Sequence, residues 1–170
     1  MKRIPLTKGA VAIVDDADYG WLTQMGRWSL NSSGYAVHYQ GRKTLLMHRL
    51  IMTAPPHLQV DHINHNRLDN RRDNLRLATR SENQVNKRLR CDNTSAYKGV
   101  SWNRGRWEAR IRLPGGRVNL GRFDDPVQAA RVHDAAAHYL YPDFATLNFP
   151  GEAIPPELTE YVQERIAIRG

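Results

Sequence analysis

The chain has 170 residues, 41% of them hydrophobic, enough for one ordinary domain or two small ones with modest cores. Lys and Arg number 25 against 17 Asp and Glu, a formal net charge of +8, so the field outside the protein attracts polyanions such as nucleic acid or an anionic membrane surface. No apolar run approaches the roughly 20 residues that cross a bilayer, the opening MKRIPLTKGA lacks the apolar stretch of a secretory signal, and the single cysteine, Cys91, excludes an internal disulfide; together these predict a cytoplasmic protein held by packing.

From the amino end, VAIVDDADYGWL predicts a strand followed by a short helix, with Trp21 and Trp28 as core anchors. GYAVHYQGRKTLLMH alternates and turns at Gln40-Gly41, which predicts a hairpin of Tyr35–Tyr39 with Arg42–Met47. HRLIMTAP has helical content and is stopped by Pro55-Pro56. NLRLA then alternates as a short strand, with Leu75 and Leu77 on one side. Thr79 and Glu82 have the spacing of a capping box and open a helix through SENQVNKRL. The polar joint RCDNTSA follows, and it separates a first domain, 1–90, from a second, 96–150. In the second, YKGVSW, RWEARIRL and RVNLGRF are alternating segments separated by NRG and PGG, the pattern of a three-stranded antiparallel meander. Asp125-Pro126 starts a helix whose recurring alanines let it lie close on that sheet. In the tail, 151–170, ELTEYVQERIAI predicts one more amphipathic helix. The fold class is α+β.

The positive charge is uneven: residues 61–90 hold eight basic against four acidic side chains, whereas 151–170 hold two against four. At the start of the basic stretch stands VDHINHN, residues 60–66. Cleaving a phosphodiester takes a base that deprotonates water and a cation that stabilises the charged phosphorus centre and the departing oxygen. Asp61 can hold the cation and His62, with an ordinary pKa near ~6.5, can be the base. Neighbours in a strand point to opposite faces, so the two side chains have separate tasks. Asn74, twelve residues after His62, is placed for its amide or backbone to orient the imidazole. Asn83, twenty-one residues after His62, lies in the first turn of the capped helix. A strand, strand and helix that close on one another bring Asn83 beside Asp61 around a hard, oxygen-seeking cation, and leave the imidazole facing a DNA strand. His48 either supports the site from behind, touches a phosphate or is structural; His65, with Asn66, either touches a phosphate or faces solvent. Arg71, Arg72 and Arg76 either clamp a phosphate backbone or pair with Asp69 and Asp73.

MHRLIM and VDHINHNRLDNRRDNLRLATRSEN resemble the HNH endonucleases of the phage and intron-encoded homing type, over roughly residues 45–87. The resemblance implies a ββα-metal nuclease core in which His62 activates the attacking water and Asp61 and Asn83 bind one Mg2+ or Mn2+. It assigns Asn74 to holding the histidine, and it implies action on double-stranded DNA, in the host bacterial cytoplasm if the protein is phage-encoded; one active-site cluster per chain favours a monomer.

The second domain, through its closing LNFP, is similar to the AP2/ERF-type DNA-binding domain of plant ethylene-response factors, which implies a sheet lying in the major groove. In RWEARIRL, Arg106, Glu108, Arg110 and Arg112 share one face, while Trp107, Ala109, Ile111 and Leu113 share the other, which must be core. The arginine face, extended by Arg117 and by Ser101 or Asn103, is the one that meets DNA. Asn119 stands where the plant domains usually carry tryptophan, so their target sequence does not carry over. The leading expectation is a metal-dependent DNA endonuclease targeted by its carboxyl-terminal sheet. A DNA-binding regulator with a non-cutting nuclease fold is the alternative, and an RNA-binding sheet is third, disfavoured by few exposed aromatics for base stacking.

Overall fold

The computed structural model of the chain describes residues 1–87, 89 and 93–168. Arg88 in the expected helix, and Arg90, Cys91 and Asp92 of the polar joint, lie outside the described residues. The chain folds as two compact units, Met1–Asn83 and Gln84–Gly170. Both are α+β, and no helix among the described residues is long and apolar enough to cross a membrane.

The first unit opens with an antiparallel pair, β1 (Lys2–Pro5) and β2 (Val11–Val14), followed by α1 (Asp16–Gln24). A three-stranded sheet comes next, in the order β3 (Ser29–Leu30), β4 (Ala36–Gln40), β5 (Lys43–Leu46), and the expected hairpin is its β4–β5 pair. Then follow α2 (Met47–Ile51), the antiparallel pair β6 (Gln59–His62) and β7 (Leu75–Ala78), and α3 (Arg80–Val85). Apolar side chains of β1, β2, α1, β4, α2, β6 and β7 converge on one core that includes Ile4, Val14, Leu22, Trp28, Met47, Ile51, Val60 and Leu75. Trp28 is 1% exposed and donates its Nε1–H to the Leu22 carbonyl at 2.8 Å.

One expectation for this unit is corrected. Trp21 is 37% exposed, because its turn of α1 faces outward and its indole N–H bonds Asp18 on the same helix at 3.1 Å. Leu77, paired with Val60 in register, is also 37% exposed although Leu75 is buried. The capping box forms as expected: the Thr79 N–H donates to Glu82 at 2.6 Å, and the Glu82 N–H to Thr79 Oγ1 at 3.3 Å. The helix it opens ends at Val85, earlier than the sequence pattern implied.

The second unit is the expected meander and helix. Its sheet runs β10 (Gly116–Phe123), β9 (Arg106–Leu113), β8 (Val100–Asn103), and α4 (Pro126–Leu140) packs on it through five alanines that are each at most 1% exposed. Asp125 caps α4 by accepting from the Val127 and Gln128 N–H groups, both at 3.1 Å. In the closing LNFP, the Asn148 amide donates to Asp134 on α4 at 2.8 Å and its oxygen accepts from the Lys98 N–H at 2.7 Å, tying the last loop to the helix and to the turn before β8. The tail forms α5 (Pro156–Ala167), with Val162 fully buried in this core and the Tyr161 hydroxyl bonded to the Leu120 carbonyl at 2.8 Å.

Candidate active site

Strand alternation sorts the side chains of β6. Val60 belongs to the core cluster and His62 lies on its side, while Gln59 and Asp61 share the other side. Helix α3 meets the strand there: Asn83 donates from its amide to Gln59 Oε1 at 2.5 Å, 24 residues apart in the chain. Asn83 is thereby held on the Asp61 side of β6, next to the residue two positions before Asp61. Asp61, 5% exposed, is paired across the ladder with Arg76, whose nitrogens lie 2.8 and 2.9 Å from its Oδ2. Among the described residues no three His, Cys, Asp or Glu side chains gather as a metal site. Asp61 and Asn83 carry oxygens, the atoms that a hard divalent cation takes as ligands.

The His62 ring is 5% exposed, so the expectation of an imidazole open to a DNA strand is not met in this structure. Among the described residues, His48, Tyr35 and Asn70 stand beside it. The His48 ring stands 5.1 Å away edge-on, the Tyr35 ring 5.9 Å away, and Asn70 Oδ1 lies 3.4 Å from Nε2. Burial pushes the His62 pKa below its ordinary value, opposed by the Asn70 hydrogen bond and by the charge of Asp61. His48 is pushed down to about 3, by burial first and then by the charges of His62 and Arg49. His48 thus belongs to the pocket that encloses His62. Beside them the Arg67 guanidinium lies over the Tyr35 ring at 4.9 Å.

Asn74 does more for the loop than for the ring. It is 6% exposed; its Oδ1 accepts from the Asn64 N–H at 3.0 Å, its Nδ2 donates to the Asp69 carbonyl at 2.8 Å, and its own carbonyl accepts from the Ile63 N–H at 2.9 Å. These bonds close the 63–74 loop at both ends. His65, at φ 63°, bends that loop by donating its N–H to the His62 carbonyl.

Asn70 is a site residue that sequence reading passed over. It is fully buried, its N–H bonds the Ile13 carbonyl at 2.7 Å, and the Ile13 N–H bonds Leu68 at 2.8 Å, so β2 braces the loop from its far side. Arg71 and Arg72 are engaged within the protein. Arg71 forks onto Asp69 at 2.7 and 2.8 Å; Arg72 reaches Asp18 on α1 at 2.7 and 2.8 Å rather than Asp73. Their side chains keep 40% and 53% exposure.

On the second unit the expected faces of β9 are observed, with one addition. Ala109 and Ile111 are buried against α4, and Trp107 packs at the core margin with Trp102 edge-on at 4.9 Å. Arg106, Arg112 and Arg117 are exposed, and Arg110 is half-buried. The addition is Arg122. Plain alternation from Arg117 would send it to the core, but a bulge between Asn119 and Gly121 shifts the register, so Arg122 pairs with Glu108 and joins the arginine face. Gly121 at φ +144° permits the bulge, and a Cβ there would meet Tyr161 Oη at 2.6 Å.

The family model described as HNH endonuclease matches residues 46–85. An uncharacterised HNH endonuclease of Acanthamoeba polyphaga mimivirus is 33% identical over 147 residues, covering 83% of this chain and 76% of the relative. An ethylene-responsive transcription factor of Arabidopsis thaliana is 43% identical over 70 residues, 38% of this chain and 36% of the relative, so the chain spans about a third of that protein. Protein 3.8 of Escherichia phage T7 is 39% identical over 72 residues, 41% of this chain and 60% of the relative.

Proposed function

We propose, from the premise that the chain belongs to the HNH endonuclease family, that it hydrolyses a phosphodiester of double-stranded DNA as a monomer. In this reading His62 is the general base and a divalent ion, Mg2+ or Mn2+, is held by Asp61 and Asn83. One observation supports it above the others: the Asn83–Gln59 bond, which keeps the helix amide on the side of β6 that carries Asp61. Bound there, the ion supplies positive charge against the charge that builds on the phosphate and the leaving oxygen.

The protein's own groups do the rest. In this reading the His62 imidazole, with Asn70 Oδ1 beside its Nε2, takes the proton from water. Burial keeps the imidazole uncharged at neutral pH, the form a base requires. Arg76 fixes the direction of the Asp61 carboxylate. Asn74 holds the loop that follows His62. In this reading a phosphate reaches the ring past Tyr35 and Arg67, the side chains beside it.

The carboxyl-terminal sheet grips the duplex through Arg106, Arg110, Arg112, Arg117 and Arg122, while Arg71 and Arg72 brace the loop and offer their exposed edges to phosphate. Incubating supercoiled plasmid with the protein and magnesium tests the reading. Nicked or linear product is expected, chelator should stop its formation, and His62→Ala should abolish most of it while gel retardation persists. Retardation without cutting would identify a binder, and cutting that survives both chelator and His62→Ala would remove His62 from the mechanism.

A further inference from the structure

The centre of the arginine face is a carboxylate. Glu108 lies midway along β9, in register with Ser101 on β8 and Arg122 on β10, and is 4% exposed. It accepts from Asn103 Nδ2 at 2.9 Å, from Arg110 Nη2 and from Asn119 Nδ2, one donor from each strand of the sheet. Burial pushes its pKa up, but the bonds from Asn103 and Arg110 with the surrounding guanidinium charge outweigh that and hold it below the ordinary value.

A negative charge there opposes affinity for a phosphate backbone, since it cancels part of the attraction of the arginines around it. Its contribution must lie elsewhere, and the hydrogen bonds indicate where. Asn119 has a bond at each end of its amide, the nitrogen to Glu108 and the oxygen from the Gly121 N–H at 2.8 Å, so it acts as a strut within the sheet. Arg110 differs. One nitrogen is tied to Glu108, yet the side chain remains 37% exposed, so the guanidinium, with its parallel N–H donors, is anchored on the carboxylate while the side chain stays partly open to solvent. Guanine, with O6 and N7 side by side in the major groove, is the base edge that accepts two such parallel donors.

We propose that Glu108 is a positioning residue for sequence readout: it holds Arg110 so that the free edge of the guanidinium reads a guanine in the major groove rather than an arbitrary phosphate. The inference rests on the reading that this sheet contacts duplex DNA, and the test separates the two. The full-length protein, with chelator present to prevent cutting, selects duplexes from a randomised pool, and binding of the selected and scrambled sites is compared across a salt series. The unmodified chain should enrich a motif containing guanine. Glu108→Ala and Glu108→Gln should bind scrambled duplex at least as tightly, yet lose roughly tenfold or more of the discrimination at one guanine position. Arg117→Ala should instead weaken all duplexes and reduce the salt slope by about one. Arg110→Lys, which leaves the Glu108 carboxylate with its Asn103 and Asn119 donors, should lose the same guanine preference, so the proposal stays testable if the Glu108 variants fold poorly. Unchanged discrimination in well-folded Glu108 variants, or in Arg110→Lys, overturns it. If the unmodified chain retains no duplex DNA at any salt, the DNA reading of the sheet falls and this proposal falls with it.

Discussion

Replacing Asn74 with alanine tests whether this asparagine acts by closing the 63–74 loop. The substitution removes an acceptor for the Asn64 N–H and a donor to the Asp69 carbonyl, from a side chain only 6% exposed. A typical intramolecular hydrogen bond contributes about 1 kcal/mol, and a buried partner left unsatisfied costs about 1–3 kcal/mol. Asn64 is itself exposed and can turn to water, so the larger share comes from the Asp69 carbonyl. The total is about 3 kcal/mol. For an 83-residue unit, unfolding entropy near ~2.1 cal/mol/K per residue converts this to a fall in Tm of roughly 15 to 20 °C. Scanning calorimetry on the full chain measures that fall, and hydrogen exchange at the Asn64 amide reports the loop directly. Asn74→Asp should not rescue, because it keeps the acceptor but sets an oxygen against the Asp69 carbonyl. A variant within about 0.5 kcal/mol of the unmodified protein, with the Asn64 amide still protected, would refute the loop-closing role.

Asn70→Ala removes the partner of His62 Nε2; kcat should fall roughly tenfold to a hundredfold with gel retardation unchanged, and a variant with full kcat would show that Asn70 does not orient the ring. Asp18 is 2% exposed, and its bond to Arg72 holds its pKa below the ordinary carboxylate value, against the opposing effect of burial. Its stabilising contribution is therefore complete above the unfolded pKa near ~3.9 and is lost as pH falls through the lower folded value. Urea titrations should find Asp18→Asn less stable than the unmodified chain at pH 7 and the gap closing below about pH 4; a gap constant with pH would contradict the pairing. Gly99 sits at φ +71°, where an added Cβ would lie 1.8 Å from His133 Cδ2. Gly99→Ala should destabilise the second unit by about 3 kcal/mol or more in denaturant melts, and His133→Ala in the same chain should recover part of that by making room.

Features governed by neighbours in the chain were legible in the sequence. The β4–β5 hairpin, the Thr79–Glu82 capping box, the three alternating strands of the second unit and the Asp125 cap all rest on periods of two or on spacings of a few residues. The assignment of Asp61 and Asn83 to a common side came from motif spacing together with family resemblance, and the Asn83–Gln59 bond is consistent with it. Less legible was which of several chemically equal residues turns inward. Trp21 and Trp28 look alike as candidate anchors, yet only Trp28 is enclosed, because enclosure depends on what the rest of the fold brings against each indole.

By itself, then, the sequence determined the α+β elements, the identity of the catalytic candidates and the basic character of one sheet face, since each follows from local pattern or residue type. Tertiary structure alone decided that β2 braces the loop beside His62, that Asn70 and His48 wall in the imidazole, and that Arg72 crosses 54 positions to Asp18. It also decided, through one unpaired residue in β10, that Arg122 faces outward. Pairings across long stretches of chain depend on which surfaces the whole fold closes together, and a single bulge reverses every side chain after it; neither leaves a local signal.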